Sequence, residues 1–251
     1  MATARLPRWS LRSLALLGAI LPLAGPVAAQ RADFLFRQPR VTIGVRGGWA
    51  VAQAGSEIFD HTTSIMTVDR RDFDGFALQA ELAVRLRERL DLTLTVGHTR
   101  AEIASEFRDW VDHEDLPIEQ ITHFSRTPIT VGVKGYLGER ERAVSRFAWV
   151  PYDWAPYIGA GVGLMGHYFS QTGDFVDFET LDVFTATFRS EGIAPSAYLA
   201  TGLDLSLGAH LLATGDARYL WSRAGMSWDF VDFDRIDLSG FQLAVGVGVR
   251  F

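Results

Sequence analysis

The run Phe241-Gln242-Leu243-Ala244-Val245-Gly246-Val247-Gly248-Val249-Arg250-Phe251 decides the fold. Phe241, Leu243, Val245, Val247, Val249 and Phe251 share one parity, and Gln242, Ala244, Gly246, Gly248 and Arg250 share the other. Successive side chains of a strand point to opposite faces, so this is a strand with one long apolar face and one small or polar face. The pattern recurs seven times upstream. Val41, Ile43, Val45, Trp49 and Val51 alternate with Thr42, Gly44, Arg46 and Gly48, and Phe76 to Leu86 alternates with Ala77, Gln79, Glu81, Ala83 and Arg85. Further runs start near Leu92, Ile129, Ile158, Leu199 and Ala213. They set Thr93, Lys134, Tyr136, Gly161, Tyr198, Asp204, Asp216 and Arg218 on the face opposite the Leu, Ile and Val parity.

Each run is near the length of about 9 to 11 residues that a tilted strand needs to cross hydrocarbon. The chain is 48% hydrophobic, yet after the N-terminus it has no continuous apolar run that could form a membrane helix, which places the hydrophobicity on one face of many strands. Turns near Arg87 and at Gly208-Ala209-His210 are short, whereas 53–74, 101–120, 169–194 and 222–238 read as long polar loops. The expected fold is therefore all-β: an eight-stranded antiparallel up-and-down transmembrane β-barrel over residues 38–251. A soluble barrel would turn the Leu and Val parity inward and leave a solvent face made of Gly, Thr and Ala, which fits poorly. The connection 138–156 is long where a short turn is expected, and Trp149, Tyr152, Trp154 and Tyr157 within or beside it suit the inner membrane interface. Trp49, Phe76 and Trp221 suit the outer one.

Residues 1–29 carry Arg5, Arg8 and Arg12, an apolar core from Leu14 to Leu23, and Val27-Ala28-Ala29. This reads as a cleaved secretory signal peptide, followed by a periplasmic segment at 30–37. Without those three arginines the 24 basic residues fall to 21 against 30 acidic ones, a net charge of −9. An exported acidic chain argues against a nucleic-acid partner. The absence of cysteine removes disulfide scaffolds, thiolate zinc sites and thiol nucleophiles.

The alternating strands, the run Pro156-Tyr157-Ile158-Gly159-Ala160-Gly161-Val162-Gly163 and the last strand closing on Phe251 resemble the small outer-membrane β-barrel proteins of the OmpA, OmpX and OmpW type. The resemblance implies location in the bacterial outer membrane, contact with its lipids and lipopolysaccharide, and Phe251 as the signal read by the barrel-assembly machinery. It is specific for architecture and says little of activity.

A barrel of eight strands has room inside only for its own side chains. The inward set includes Arg46, Arg85, Lys134, Arg218 and Arg250 against Glu81, Asp204 and Asp216. The main reading is a lumen charge network that closes the barrel, since buried charges must pair. The alternative is a narrow pore for small solutes, leaning to anions because of the two surplus positive charges.

Gly161-Val162-Gly163-Leu164-Met165-Gly166 matches a dinucleotide fingerprint, but its glycines lie on the inward parity of a strand with no helix following, so they make room for an opposing Arg or Tyr. No histidine spacing suggests a metal site, and neither cofactor nor metal is expected. Glu119, His123 and Ser125 share the lipid-facing parity if the fourth strand extends upward, a faint resemblance to outer-membrane lipid A deacylases. The departures are that no Asn follows the Ser, the Glu precedes the His, and Pro128 is expected to interrupt the strand.

Of the 30 acidic residues, 21 fall in the four long segments, which places most of the negative charge outside the cell. Asp174-Phe175-Val176-Asp177-Phe178 is repeated as Asp229-Phe230-Val231-Asp232-Phe233, and the alternation suggests two strand extensions that pair with each other. Divalent cations bridging these loop carboxylates to lipopolysaccharide phosphates are a further reading. No catalytic set emerges. The expected role is non-enzymatic, in envelope structure or surface interaction, with the chain a monomer.

Overall fold

The computed structural model describes residues 37–112, 114–145, 148–177, 180 and 182–251. The expected signal peptide and nearly all of segment 30–37 lie outside the described residues.

Eight long strands form the barrel: β1 (Val41–Ala52), β2 (Gly75–Arg87), β3 (Leu90–Val111), β4 (Pro117–Tyr136), β7 (Trp154–Val176), β8 (Val183–Ser206), β9 (Leu211–Gly225) and β11 (Gly240–Arg250). Between β4 and β7 lies a separate hairpin, β5 (Glu141–Ser145) with β6 (Ala148–Pro151), and β10 (Arg235–Asp237) pairs with the top of β9. Every pairing is antiparallel, each barrel strand pairs with its neighbours in sequence, and β1 with β11 closes the ring. Closure removes the free edges that hydrocarbon would not tolerate.

The apolar parity points outward. Val45 is 58% exposed, Val162 66% and Val245 71%, with Leu78, Val131 and Leu199 among many others of the kind. On a soluble protein such a continuous band would be an aggregation surface; on a barrel it is the lipid-facing belt. Trp49, Phe76 and Trp221 stand on the outer side of the wall, as do Tyr152 and Trp154 at the opposite end. Trp149 and Tyr157 do not join that girdle. Both are buried, because each has a polar partner inside the barrel.

Two of the four expected loops are mostly strand. Residues 101–111 and 117–120 continue β3 and β4, and 169–176 and 183–194 continue β7 and β8, which leaves only short turns at their tips. The geometric alternation runs unbroken from Leu92 to Glu106, but the chemistry inverts along it. In the membrane Leu92, Leu94 and Val96 face out; above it Ala101, Ile103 and Phe107 face in and Glu102 and Glu106 face out. Water now covers the outside, so the apolar residues turn to the inside. Pro128 does not interrupt β4. It faces a gap in the β3 ladder, between the Val96↔Ile129 and Thr99↔Arg126 pairs, where no N–H from residue 128 is needed.

Within 53–74 the chain forms helix α1 (Glu57–Ile65) and a 3-10 turn at Arg70–Phe73. Ile58, Phe59 and Thr62 lie on one face of α1, and that face is buried. The acidic Glu57 and Asp60 sit in its first turn, where the helix dipole favours negative charge.

Candidate functional site

The interior is built in three layers. The middle layer is the lumen charge network. Arg46 donates to Glu81 through both terminal nitrogens, Nη1 to Oε2 at 2.9 Å and Nη2 to Oε1 at 2.5 Å, a bidentate pair. Lys134 Nζ bridges Glu81 Oε1 at 3.5 Å and Asp204 Oδ2 at 3.1 Å. Arg218 Nε lies 3.4 Å from Asp216 Oδ1 and its Nη2 lies 3.9 Å from Glu81. Three tyrosines complete the layer: Tyr136 donates to Asp204 at 2.8 Å, Tyr157 donates to Asp216 at 3.1 Å, and Tyr198 lies under the Arg218 guanidinium at 4.3 Å. Here three cations face three carboxylates, so the expected positive surplus is not in this layer.

Tyr198 fits because the facing wall is bare. A Cβ on Gly161 would come within 2.6 Å of Tyr198 and 2.5 Å of the Val131 carbonyl, and one on Gly132 would meet the Tyr198 hydroxyl at 2.4 Å. Of the fingerprint glycines, Gly161 is therefore space for a lumen tyrosine, whereas Gly163 is held close to the Ile129 and Thr130 backbone of β4.

The other two residues of the expected network, Arg85 and Arg250, sit at the mouth beside the C-terminus with partners that sequence periodicity could not reveal. Arg85 Nη1 donates to Glu141 Oε2 at 2.6 Å, and its Nη2 also reaches that carboxylate. Glu141 further accepts from Trp149 Nε1 at 2.6 Å and from Gln38. Beside it, Arg140 holds Asp91 through two bonds of 2.6 and 2.7 Å. Arg250 donates to Ser206 at 3.0 Å and stands over the Trp149 ring. These contacts draw the β5–β6 hairpin against the mouth. Burial opposes the charge on Glu141, but the hydrogen bonds from Arg85 and Trp149 outweigh it and hold its carboxyl below the usual range. Asp91 was legible by parity with Leu92; Arg140 and Glu141, in an aperiodic connection, were not.

The third layer, at the outer end, is mainly apolar, which the expectation of a polar interior did not include; the buried Arg126 lies over the Phe124 ring and donates to the Leu238 and Ser239 carbonyls. Phe59 of α1 is fully buried, with ring centroids 4.8 Å from Phe73, 5.4 Å from Phe124 and 6.0 Å from Phe169, all edge-on. Phe169 meets Phe230 at 5.6 Å, and Ile58, Met66, Ile118, Ile236 and Leu238 fill the rest. The sequence carried a signal for it in Phe124 and Phe169, aromatics on the inward parity.

The repeated Asp-Phe-Val-Asp strings do not pair with each other. Asp174 lies on β7 opposite Thr185 of β8 and accepts from that hydroxyl at 2.6 Å, and Asp177 caps the adjoining turn. Asp229 lies in a 3-10 turn, Trp228–Phe230, and its Oδ2 accepts from the Arg189 amide at 2.9 Å; Asp232 follows in the same loop. Only the first copy has a partner strand to extend. Among the described residues no group of three or more His, Asp or Glu side chains is placed to hold a metal ion.

On the outer wall, His123 is opposite Glu102 across the β3–β4 ladder, with Nδ1 3.5 Å from Oε2. Glu119, the carboxylate expected beside it, is instead opposite Glu106. Ser125 shares the face of His123 in a groove with His98, Arg100 and Tyr168, but among the described residues no hydrogen bond joins Ser125 to His123.

No family model matches the chain, and no curated protein matches it. It is similar to several solved outer-membrane proteins, among them the following three. Neisserial surface protein A shares 13% identity at a TM-score of 0.47, over 88% of this chain and 98% of that one. The attachment invasion locus protein Ail of Yersinia pestis shares 12% at 0.44, over 86% and 100%. OprG from Pseudomonas aeruginosa shares 11% at 0.45, over 86% and 99%. At these scores the fold rests on the chain's own strand order. By its closed ring of eight antiparallel strands and its lipid-facing belt, this chain is a transmembrane β-barrel with the architecture of the small outer-membrane proteins it resembles.

Proposed function

We propose that the protein is a closed, non-enzymatic barrel of the bacterial outer membrane that holds a tall extracellular wall of strands as a surface for contacts. One observation carries this reading: the interior is filled at three successive levels, by the docked hairpin, the balanced charge network and the phenylalanine core. A solute would have to displace paired charges and then a close-packed aromatic core, each at a cost of several kcal/mol. The pore reading also loses its surplus of charge in the middle layer, where three cations face three carboxylates. In this reading the outward band contacts membrane lipid and lipopolysaccharide, the barrel-assembly machinery reads Phe251, a signal peptide cleaved after Ala29 directs export, and the barrel is a monomer within its membrane.

Planar-bilayer recording of the purified protein tests the closure. Silence is the expected result, and discrete single-channel currents that change on Arg218→Ala would overturn it. Replacement of the extracellular parts of β7 and β8 tests the contact surface: a bound partner is lost while the barrel persists.

The His123–Glu102 pair beside Ser125 on the outward face of β3 and β4, just above the lipid-facing belt, favours a second reading, an acyl hydrolase acting on lipid A. Loss of an acyl chain from lipid A on expression would support it, and intact lipid A beside the wild-type protein ends it.

A further inference from the structure

Above the barrel, β8 has a neighbour on one side only. Its pairing with β7 continues up to Val183, whereas its pairing with β9 stops at Ser196. Between these points the other edge is partly covered: the Arg189 amide donates to Asp229 and the Glu191 amide to Ser227 Oγ at 3.4 Å. These bonds show which way the odd-numbered backbone groups of β8 point. Those of Thr185 and Thr187 point the same way, and among the described residues nothing meets them. An open edge of this kind is a template for strand addition.

The sequence of that edge is Phe184-Thr185-Ala186-Thr187-Phe188, which reads the same in both directions. We propose that this edge pairs with the same edge of a second copy of the chain, antiparallel and centred on Ala186. The proposal rests on the reading of the protein as a surface-contact barrel and names its partner. In that register Thr185 exchanges two backbone hydrogen bonds with Thr187 of the second copy, and the two-fold related pair does the same. Ala186 faces Ala186 at the close-approach, non-hydrogen-bonded position, where a small residue fits. Phe184 faces Phe188 twice, and aromatic cross-strand pairs are favourable. The pairing is isologous, as a two-fold contact requires.

Charge selects the same stretch. The four long segments concentrate 21 of the 30 acidic residues, and like charges brought opposite each other repel; residues 183–188 carry none. Arg189, whose amide is already held by Asp229, marks where the pairing stops. Five residues of strand bury well under the roughly 1,200 Å² of a stable interface, so a single contact is weak and many in parallel are needed.

The two-fold axis of an antiparallel pair is perpendicular to the sheet. The sheet here is the barrel wall, so the axis lies in the membrane plane and the two copies belong to facing membranes. The contact is therefore between cells and leaves each barrel a monomer in its own membrane. Ala186 is about 17 Å along the strand from Glu191, at ~3.3 Å per residue, so the contact needs close apposition of the two surfaces.

The native chain has no cysteine, which makes a clean test possible. Proteoliposomes carrying Ala186→Cys are expected to form disulfide-linked dimers between vesicles about tenfold faster than those carrying Val231→Cys, an exposed position on the same rim, because pairing raises the local concentration. Equal rates would overturn the proposal. Thr187→Pro, which removes one edge donor, is expected to abolish vesicle clustering while the unboiled protein keeps its folded gel mobility; clustering that persists in a folded Thr187→Pro variant also overturns it. A bilayer that stays silent after either negative result would leave the closed-barrel reading standing, so the two failures are distinguishable.

Discussion

Glu81 is the residue on which the lumen turns. It holds Arg46 at two points and lies within 4 Å of Lys134 and Arg218, so it faces three of the buried cations. Glu81→Gln leaves those cations short of one counter-charge in a buried site. The expected loss is about 3–5 kcal/mol, the range found when one partner of a buried ion pair is removed. Urea unfolding of the protein in lipid vesicles measures it, and an unchanged midpoint would contradict the network. Arg46, Glu81, Lys134, Asp204, Asp216 and Arg218 were legible because each stands on the parity opposite a lipid-facing run. The partners of Arg85 and Arg250 were not, because Glu141 and Trp149 reach them from a segment with no period, and only folding brings 85 beside 141.

Two elements close the ends of the barrel by different physics. The hairpin at the mouth beside the C-terminus is held by charge, and its sensitivity follows from Glu141. That carboxyl has a folded-state pKa below its unfolded value, so its contribution is fully present above the unfolded pKa and is lost as pH falls through the depressed folded value. The hairpin is expected to stay docked at neutral pH and to loosen only in acid below the usual carboxylate range. Trp149 fluorescence follows the release, and Glu141→Gln should remove its pH dependence. Helix α1 at the outer mouth is held by burial instead. Phe59→Ala deletes a fully buried ring with three aromatic neighbours and is expected to cost about 3–5 kcal/mol. Protease cleavage within 53–74 should appear while the unboiled barrel keeps its gel mobility, since the strand ladder does not depend on α1.

At the scale of the molecule the three layers act in series. Deleting 140–152 removes the hairpin but leaves the charge network and the phenylalanine core in place, so the bilayer is expected to stay silent. Currents from that variant would mean that the hairpin alone is the barrier. Two of the four expected loops are upper strands for one reason: a strand that leaves the membrane keeps its period but exchanges its apolar face, so 101–111 is polar on the parity that is apolar below.

The sequence by itself determined the ring. Period-two alternation over eight runs, with turns between them, dictates which residues meet lipid and which face the lumen, because side-chain direction in a strand is local. It determined the girdle at Trp49, Phe76 and Trp221 and the glycine wall at Gly161 for the same reason. Only the tertiary structure decided what fills the ring. The pairing of Arg85 with Glu141, the insertion of Phe59 between Phe73, Phe124 and Phe169, and the open edge at Thr185 and Thr187 all join residues far apart in the chain or depend on where a neighbouring strand stops. Such contacts are set by closure of the barrel, and no local period encodes them.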